Sequence, residues 1–541
     1  MPRAFQIPNL QISAVAKSKN ILSSQVFMFF AVSLTFWALI WLVAVEFSGL
    51  TPSYVSNQLK SWMDYSPTFK SWVTTRTAQY NYDRAWVHYD DTQKVWGYAD
   101  RQSIKPGEAF TVFLSVQTGT DLAKGTLHFY RIGGEENKLK YESVFTTQAL
   151  TVDYQLLRPE ASIVGADWTV GVKISKTQAW KSGMYVANFV YSDGRVNDKV
   201  AWIVVRPEVG QGDIIVKIPT NTLQAYNIWG GFSLYQSPTF GDFSSMVSFD
   251  RPTHLYTAHD PFFFIPWIET YAKSKKLKVD YISDFDLSTD PTVIDGYKLF
   301  VSHGHDEYWT KEMFDAVENR IFTKGKNAIF LGANTAYWQV RYVDVNQRPG
   351  GAFMGRQMIC YKTYRGIIDP IAMRYENPAD AVLPSTGLFR LDGRRPESML
   401  EGVAYQSWFE FSTPAYDYTV VNNDLPFFEG TGLRPNDIVR GIVGYEWDNR
   451  DPEGDGKSLW SPSASLNKKI PESSIHVLFE GHPTNAKDVP GKAEAVYWQS
   501  AAGGKVFSSG TVWWAWGLSK PGVATPQFDK LNTNLFDYML K

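Results

Sequence analysis

Residues 295–334 read DGYKLFVSHGHDEYWTKEMFDAVENRIFTKGKNAIFLGAN and contain the pattern from which a fold class follows. DGYKLFVS and NAIFLGAN are apolar runs of strand length. Between them, apolar residues recur at helical spacing, and these are Met313, Phe314, Val317 and Ile321. A strand, a helix and a strand in succession are typical of parallel strands in an α/β sheet.

The same alternation occurs elsewhere in the C-terminal part of the chain. PWIETYAKSKK (266–276) predicts a helix, and LKVDYISDFDL (277–287) predicts a strand. Later strands are indicated by VLFEGHP, AVYWQS and KVFSSGTVWWAWGL. We therefore expect residues 208–541 to form one α/β domain with a mostly parallel sheet.

A different pattern precedes residue 208. AFTVFLSVQTG follows a Pro-Gly turn, and its apolar side chains alternate with more polar neighbours. TLHFYRIGG, DWTVGVKI, MYVANFVYSDG and VAWIVVRP follow as short strands separated by turn residues. Strands at this spacing predict an immunoglobulin-like β-sandwich over residues 89–207, so the expected fold class is α/β plus all-β.

The N-terminal residues predict a membrane anchor. Residues 21–45 contain no charged side chain, and a helix of this length crosses ~30 Å of hydrocarbon. A cleaved secretory signal is the alternative, but its apolar core is usually only ~7–15 residues long. Three basic residues precede the run, so residues 1–20 are expected in the cytoplasm. Residues 46–88 would then be a stalk in a single-pass cell-membrane protein whose later domains are extracytoplasmic, or periplasmic in a Gram-negative cell.

The composition excludes some functions. The 541-residue chain has a formal net charge of −2, and Lys and Arg form no continuous stripe, so no nucleic-acid partner is expected. Cys360 is the only cysteine, which excludes internal disulfides. Aromatic residues make up 15% of the chain, and this content favours a large core or an aromatic-walled pocket.

HGHDEYW, at residues 303–309, is the strongest candidate for a site. It lies between a predicted strand and a predicted helix with Thr310 as N-cap, where open α/β sheets bind their ligands. His-x-His is a zinc-like spacing, but Glu307 and Tyr308 stand where a metallo-β-lactamase motif has Asp and His. No Gly-x-Ser-x-Gly elbow is present. The acidic residues could instead only complement the helix dipole.

Several stretches together resemble the large subunit of N,N-dimethylformamidase. They are QAYNIWGGFSLY, SHGHDEYW, FLGANTAYWQVR, MICYK, GYEWD and WAWGL, in this order, and the resemblance covers about residues 90–541. In that family the C-terminal domain resembles a type I glutamine amidotransferase fold without its cysteine nucleophile. The resemblance implies a hydrolase that acts on the C–N bond of a small amide.

The resemblance also implies a mononuclear, ferric iron held by two tyrosinates and one glutamate. The implied ligands are Glu307 in HDE, Tyr226 in QAYN and Tyr185 in SGMY. Tyr185 has an alternative role, because a tyrosine near a late sandwich strand can bond to backbone as a tyrosine corner. Three anionic oxygens suit a hard trivalent cation, and zinc is the second choice.

Hydrolysis of an amide also needs a proton carrier. Glu446 in GYEWD matches the family's second glutamate and is expected to act as general base and acid, with a salt bridge to Arg440 as its alternative role. His305 is expected to orient Glu307 or a water molecule. Asn334 is expected to hydrogen-bond the developing oxyanion.

Two departures from the family affect the expected partners. The amidase is a soluble enzyme with a separate small subunit, whereas this chain has a predicted anchor and no region that corresponds to that subunit. Dimethylformamide itself is therefore not the expected substrate, and a homo-oligomer or a small partner subunit stays open. The alternative to an enzyme is a non-catalytic extracytoplasmic protein whose sandwich and aromatic pocket bind a glycan or a protein.

Overall fold

A computed structural model describes most of the chain from residue 95 to residue 541. The segments left out of the description are 1–94, 118–120, 157, 159–160, 236–243, 254–260, 344–354, 363–368, 372–373, 375–383, 391–394 and 451–469. The predicted cytoplasmic segment, transmembrane helix and stalk therefore lie outside the described residues. Within the described ranges, no helix is both long and apolar enough to span a membrane. The described part of the chain offers no support for the predicted single-pass membrane location, which is not proposed again.

Two sheets form the N-terminal part of the described chain. Their strands are β1 (Val95–Ala99), β2 (Ser103–Ile104), β3 (Phe110–Val116), β4 (Ala123–Glu135), β5 (Lys138–Thr146), β6 (Leu150–Val152), β7 (Gly171–Ile174), β8 (Gly183–Tyr191) and β9 (Val196–Val205), with helix α1 (Ala161–Val164) before β7. One sheet has the order β1-β3-β7, and the other has the order β2-β9-β8-β4-β5 with β6 paired to β4. The inward side chains of both sheets share one apolar core, as in a β-sandwich.

A nine-stranded sheet organises the rest. The strands from here on are β10 (Gln211–Ile218), β11 (Met246–Ser248), β12 (Val279–Ser283), β13 (Gly296–His305), β14 (Tyr308–Thr310), β15 (Asn327–Ala333), β16 (Trp338–Val343), β17 (Gln357–Ile359), β18 (Gly387–Leu388), β19 (Ala404–Trp408), β20 (Tyr416–Val420), β21 (Ile438–Val443), β22 (Glu446–Asn449), β23 (His476–Gly481), β24 (Ala493–Gln499) and β25 (Lys505–Ser508). The order of the large sheet is β12-β10-β13-β15-β25-β24-β23-β20-β21. Smaller sheets pair β11-β17-β16-β14, with β18 on β16, and β19-β22.

The predicted fold class is wrong for this region. Strands β12, β10, β13, β15 and β25 are parallel, but the pairs from β25 to β21 are all antiparallel. The large sheet is therefore mixed rather than mostly parallel, and the described protein is mostly β. The expected likeness to a glutamine amidotransferase fold is not confirmed. The strand–helix–strand pattern predicted for residues 295–334 is present, but it belongs to the parallel half of the sheet only.

Helices cover both faces of the large sheet. They are α2 (Thr220–Ala225), α3 (Phe264–Lys275), α4 (Asp284–Thr289), α5 (Lys311–Phe322), α6 (Ser398–Glu401), α7 (Trp516–Ser519) and α8 (Pro526–Met539). Helices α3 and α8 meet on one face, where Trp267 and Phe536 pack edge to face. Helix α5 packs on the other face through its apolar stripe. Its N-cap is Thr310, as predicted, and the Thr310 hydroxyl accepts the Met313 N–H at 3.3 Å.

The strand ends of β13 and β15 lie close together and carry the loops of interest. Gly304 and Gly332 are partners in the parallel register. A Cβ at position 332 would collide with the Gly304 carbonyl oxygen, so this approach of the two backbones requires glycine. The residues that follow the two strands, from His305 and from Asn334, are thereby brought to one edge of the sheet, where α/β sheets bind ligands.

Candidate active site

Glu307 lies at the centre of a buried cluster of oxygen atoms. Its side chain is only 2% exposed. The Tyr226 hydroxyl donates to Glu307 Oε2 at 2.9 Å, and the Tyr235 hydroxyl donates to Oε1. The two tyrosine rings stack with centroids 4.4 Å apart. Two phenol oxygens and one carboxylate therefore converge at the end of β13.

Backbone contacts from α2 hold this cluster together. Tyr226 is the C-cap of α2, and the Leu234 N–H donates to the Ala225 carbonyl, which returns the chain to the same place at Tyr235. The Thr222 hydroxyl accepts the Glu307 N–H at 3.0 Å. The short helix thus fixes both tyrosines against the loop that carries the carboxylate.

His305 links Glu307 to a second carboxylate. Its Nε2 lies 2.9 Å from Glu446 Oε2 and 3.3 Å from Glu307 Oε2, which are ion-pair distances. Its Nδ1 lies 2.7 Å from the Tyr445 hydroxyl. Asn334 Nδ2 donates to Glu446 Oε2 at 3.0 Å. Four residues named from the sequence, Tyr226, His305, Glu307 and Glu446, thus meet in one cluster, with Asn334 beside them.

Glu446 does not form the salt bridge to Arg440 that was its alternative role. Arg440 lies 3.6 Å from Asp417 and is 79% exposed. Glu446 is buried at β22, and the partners described above are His305 and Asn334. Asn334 has a left-handed backbone (φ 56°), and its N–H donates to Asp448 at 2.9 Å. One N–H of its side-chain amide is directed at Glu446.

The pKa values of the two carboxyl groups, Glu307 and Glu446, are shifted in opposite directions. Burial alone would lower the pKa of His305, but the adjacent carboxylates outweigh it and raise that pKa to about 10. Burial opposes ionisation of Glu307, yet its contact with His305 lowers the pKa of Glu307. At Glu446 burial dominates and raises the pKa. Glu307 is therefore the carboxyl that holds its charge, and Glu446 is the one that more readily holds a proton.

Both tyrosine hydroxyls of the cluster resist ionisation by themselves. Burial is the largest cause, and the neighbouring Glu307 charge adds to it, so the pKa values of Tyr226 and Tyr235 are well above the ordinary value. Lys362 reaches the same place from another loop, with Nζ 4.0 Å from the Tyr235 ring centroid and donating to the Tyr308 hydroxyl. Burial lowers the pKa of Lys362 to about 8.

Tyr185 lies elsewhere, contrary to its predicted place in the cluster. It belongs to the core of the sandwich, where its ring stacks on Trp180 with centroids 4.7 Å apart. Its hydroxyl donates to the Lys181 carbonyl at 2.7 Å. Local backbone four residues away satisfies the hydroxyl, which is the tyrosine-corner arrangement. None of its hydrogen bonds or ring contacts reaches Glu307.

The second histidine of the motif is also outside the cluster. The His303 ring lies against Phe264, with centroids 4.8 Å apart, and its buried Nε2 has no hydrogen-bond partner among the described residues. Burial lowers the pKa of His303 to about 3. Within the described residues, no group of three or more His, Cys, Asp or Glu side chains is arranged to hold a metal ion.

Sequence reasoning missed several residues of the site. Tyr235 ends GGFSLY, a stretch that the sequence identified as unusual, but only the three-dimensional contact with Glu307 selects this tyrosine. Tyr405 is a single strand residue that no local pattern marks, whereas Lys362 ends MICYK, one of the stretches that carry the family resemblance. Tyr445 directly precedes Glu446, so the GYEWD motif was the one available signal for it.

By fold and site, the protein joins a β-sandwich to a mixed-sheet region whose strand ends carry an acid–base cluster typical of an enzyme. The chain belongs to the N,N-dimethylformamidase beta subunit-like family, whose C-terminal profile matches residues 126–529. The resemblance to this family is therefore confirmed. Membership is consistent with a dimethylformamidase-like amidohydrolase.

Two solved structures show weak similarity to the chain. Spo0M, a sporulation control protein from Bacillus subtilis, is 14% identical, with 27% of this chain and 61% of its own covered and a TM-score of 0.14. A cycloisomaltooligosaccharide glucanotransferase of Paenibacillus sp. complexed with cycloisomaltoheptaose is 12% identical, with 50% and 34% covered and a TM-score of 0.13. In each comparison, this chain covers less than two thirds of the length of the other protein. No curated protein matches the sequence.

Proposed function

We propose that the protein is an amidohydrolase that cleaves the C–N bond of a small amide at a mononuclear metal site formed by Tyr226, Tyr235 and Glu307. The observation that carries this proposal is the convergence of both tyrosine hydroxyls on the buried Glu307 carboxylate. Family membership supports the reaction class. Tyr235 takes the place that the sequence assigned to Tyr185.

The donor set fits the metal that the family resemblance implies. All three groups offer oxygen, which is the donor that hard cations prefer, and their combined charge after ionisation would balance a trivalent ion such as ferric iron. In the absence of a metal ion each phenol stays neutral and donates a hydrogen bond to Glu307, because burial and the carboxylate charge oppose its ionisation. A cation that replaces these two protons would remove that opposition. Iron is the first choice and zinc the second.

The neighbouring residues would manage the proton of hydrolysis. When bound, the metal supplies Lewis acidity towards an amide carbonyl. Glu446 would take a proton from the attacking water and return it to the leaving nitrogen, since it is the carboxyl that more readily holds one. His305 holds the side chains of Glu446 and Glu307 in position through its two ion pairs. Asn334 orients Glu446 by donating to Oε2.

Two variants separate metal binding from turnover in the full chain loaded with iron. Glu307→Ala is expected to lose metal, because it removes the residue on which both hydroxyls converge. Glu446→Gln is expected to keep metal and lose ~10²–10⁴-fold in the release of amine from a panel of small amides, the usual size of a general acid–base contribution. Glu269→Gln, in the ion pair with Arg131, is the matched control. Full metal content and activity in both variants would contradict the proposal.

A non-catalytic binding protein is the second candidate. The hydrogen bonds of Tyr226 and Tyr235 to Glu307 favour it, because they satisfy the hydroxyl groups of the cluster without a metal ion. Under this alternative, the tyrosine-rich cluster would bind a glycan or a protein without turnover. Purified protein that carries no metal after expression with iron, and that releases no amine, would support the binding role.

A further inference from the structure

Tyr405 lies at the edge of the cluster and is rigidly held. It belongs to β19 and is 9% exposed. Its N–H donates to Glu397 Oε1 at 3.2 Å, and its carbonyl accepts from Arg390 Nη2 at 2.9 Å. Its ring packs edge-on against Tyr337 at 5.2 Å. The buried Arg390–Glu397 ion pair thus fixes the backbone on both sides of this side chain.

The strand register places Tyr405 on the same face of the β19–β22 pair as Glu446. Strand β19 pairs antiparallel with β22, and Tyr405 stands opposite Asp448. Glu446 is two residues from Asp448 and therefore on the same face of β22. Burial raises the pKa of the Tyr405 hydroxyl well above its ordinary value, and the charges of Glu446 and Glu307 are among the further causes. Tyr405 is thus a neutral O–H donor near both carboxyl groups.

The hydroxyl of Tyr405 is unused, in contrast to its neighbours. Tyr226 and Tyr235 donate to Glu307, and Tyr445 bonds to His305. Asn334 donates to Glu446. Across the part of the chain that the structure describes, the Tyr405 hydroxyl makes no hydrogen bond, and the residue keeps a small exposed fraction. The hydroxyl can therefore donate to water or to a ligand that reaches the cluster.

We propose that Tyr405 is a further catalytic residue, whose O–H donates a hydrogen bond to the carbonyl oxygen of the bound amide. The proposal rests on the proposed amidohydrolase function and assigns to Tyr405 the hydrogen bond to the oxyanion that was expected from Asn334. A donor held by its backbone before the substrate arrives is already placed for the charge that develops on that oxygen. The site would therefore select neutral amides with an unhindered carbonyl.

Tyr405→Phe tests this role because it removes only the hydroxyl. The full chain, with and without iron, is titrated calorimetrically with N-methylacetamide and with acetamide, and amine or ammonia release is measured in parallel. Tyr297→Phe is the matched control, since its hydroxyl bonds to Asp280 near the start of β13. We expect Tyr405→Phe to bind both amides about 5-fold more weakly and to lose ~10²–10³-fold in kcat, with unchanged iron content.

The outcomes separate this proposal from the proposed function. If the wild-type protein binds amides without releasing amine, hydrolysis is contradicted, and weaker binding by Tyr405→Phe still supports the hydrogen bond. If Tyr405→Phe equals the wild-type protein in affinity and in turnover, the role of Tyr405 is overturned while hydrolysis stands. Wild-type protein that binds neither amide, with or without iron, overturns both.

Discussion

At the scale of single residues, two carboxyl groups that contact the same imidazole have pKa values shifted in opposite directions. His305 lies within ion-pair distance of Glu307 and Glu446, and it lowers the pKa of the first without reversing the effect of burial at the second. The proposed hydrolysis uses both kinds of group, a charged carboxylate to bind the metal and a carboxyl to exchange a proton. The short motif HGHDEYW supplies two of these three residues, and GYEWD supplies the third.

The other histidine of that motif predicts a pH dependence of folding. The folded-state pKa of His303 is about 3, below the value of ~6.5 expected in the unfolded chain. A group with a depressed folded-state pKa binds its proton mainly in the unfolded state, so its contribution is complete above about pH 6.5 and is lost as pH falls towards 3. His303→Leu should therefore reduce the acid-induced loss of unfolding free energy between pH 7 and 5 by ~2 kcal/mol.

Urea unfolding at several pH values measures this effect. His482→Leu is the control, because the His482 side chain is 70% exposed. The His303→Leu curve should cross the wild-type curve or lie above it at low pH, while the control follows the wild type. Equal pH slopes for all three proteins would show that His303 is not the acid-sensitive group.

At the scale of elements, buried charges tie three strand ends together behind the site. Lys217 at the end of β10 donates to Asp306 at 2.6 Å and to Asp284 at the start of α4, and all three side chains are fully buried. Ser302 on β13 also donates to Asp306, at 2.6 Å. The network fixes the residue that precedes Glu307, so the position of the proposed ligand depends on packing between β10, β13 and α4.

Removal of Lys217 should be strongly destabilising. Lys217→Met leaves two buried carboxyl groups without their cation, and we expect a loss of ~3–5 kcal/mol in unfolding free energy. Lys278→Met, which breaks the pair with Asp280 from a lysine that is 54% exposed, should cost less than ~1 kcal/mol. Denaturant melts of both variants provide the comparison. Equal losses in the two variants would contradict the role assigned to the buried network.

The elements also show what local sequence patterns can predict. The strand–helix–strand pattern and the Thr310 cap correspond to β13, α5 and β15, because periodicity and capping are local properties. The antiparallel half of the large sheet escaped prediction, since the direction of pairing depends on partners far apart in sequence. The same limit explains Tyr235 and Tyr185: both are tyrosines in aromatic stretches, and only tertiary contacts distinguish a hydroxyl on Glu307 from one on local backbone.

At the scale of the whole molecule, the described residues of the sandwich and of the mixed sheet belong to one compact unit. Arg131 of β4 pairs with Glu269 of α3 at 2.6 Å, and Ser182 accepts the Tyr281 N–H at 2.7 Å. The candidate site lies wholly within the second part, between residues 222 and 448. Tyr185 is the implied ligand that lies in the sandwich, and because it is not part of the cluster the proposed site uses residues of the second part alone.

Tyr226, Tyr235 and Glu307 are proposed to bind one hard metal ion, and iron binding followed by visible absorption measures this directly. Tyrosinate bound to ferric iron gives a charge-transfer colour, so the full chain should bind one iron per molecule and become coloured. Tyr235→Phe should lose or shift that absorption, whereas Tyr185→Phe should keep it and lose only stability. A colourless, iron-free wild-type protein, or a Tyr185→Phe variant that loses the colour while Tyr235→Phe keeps it, would contradict the account.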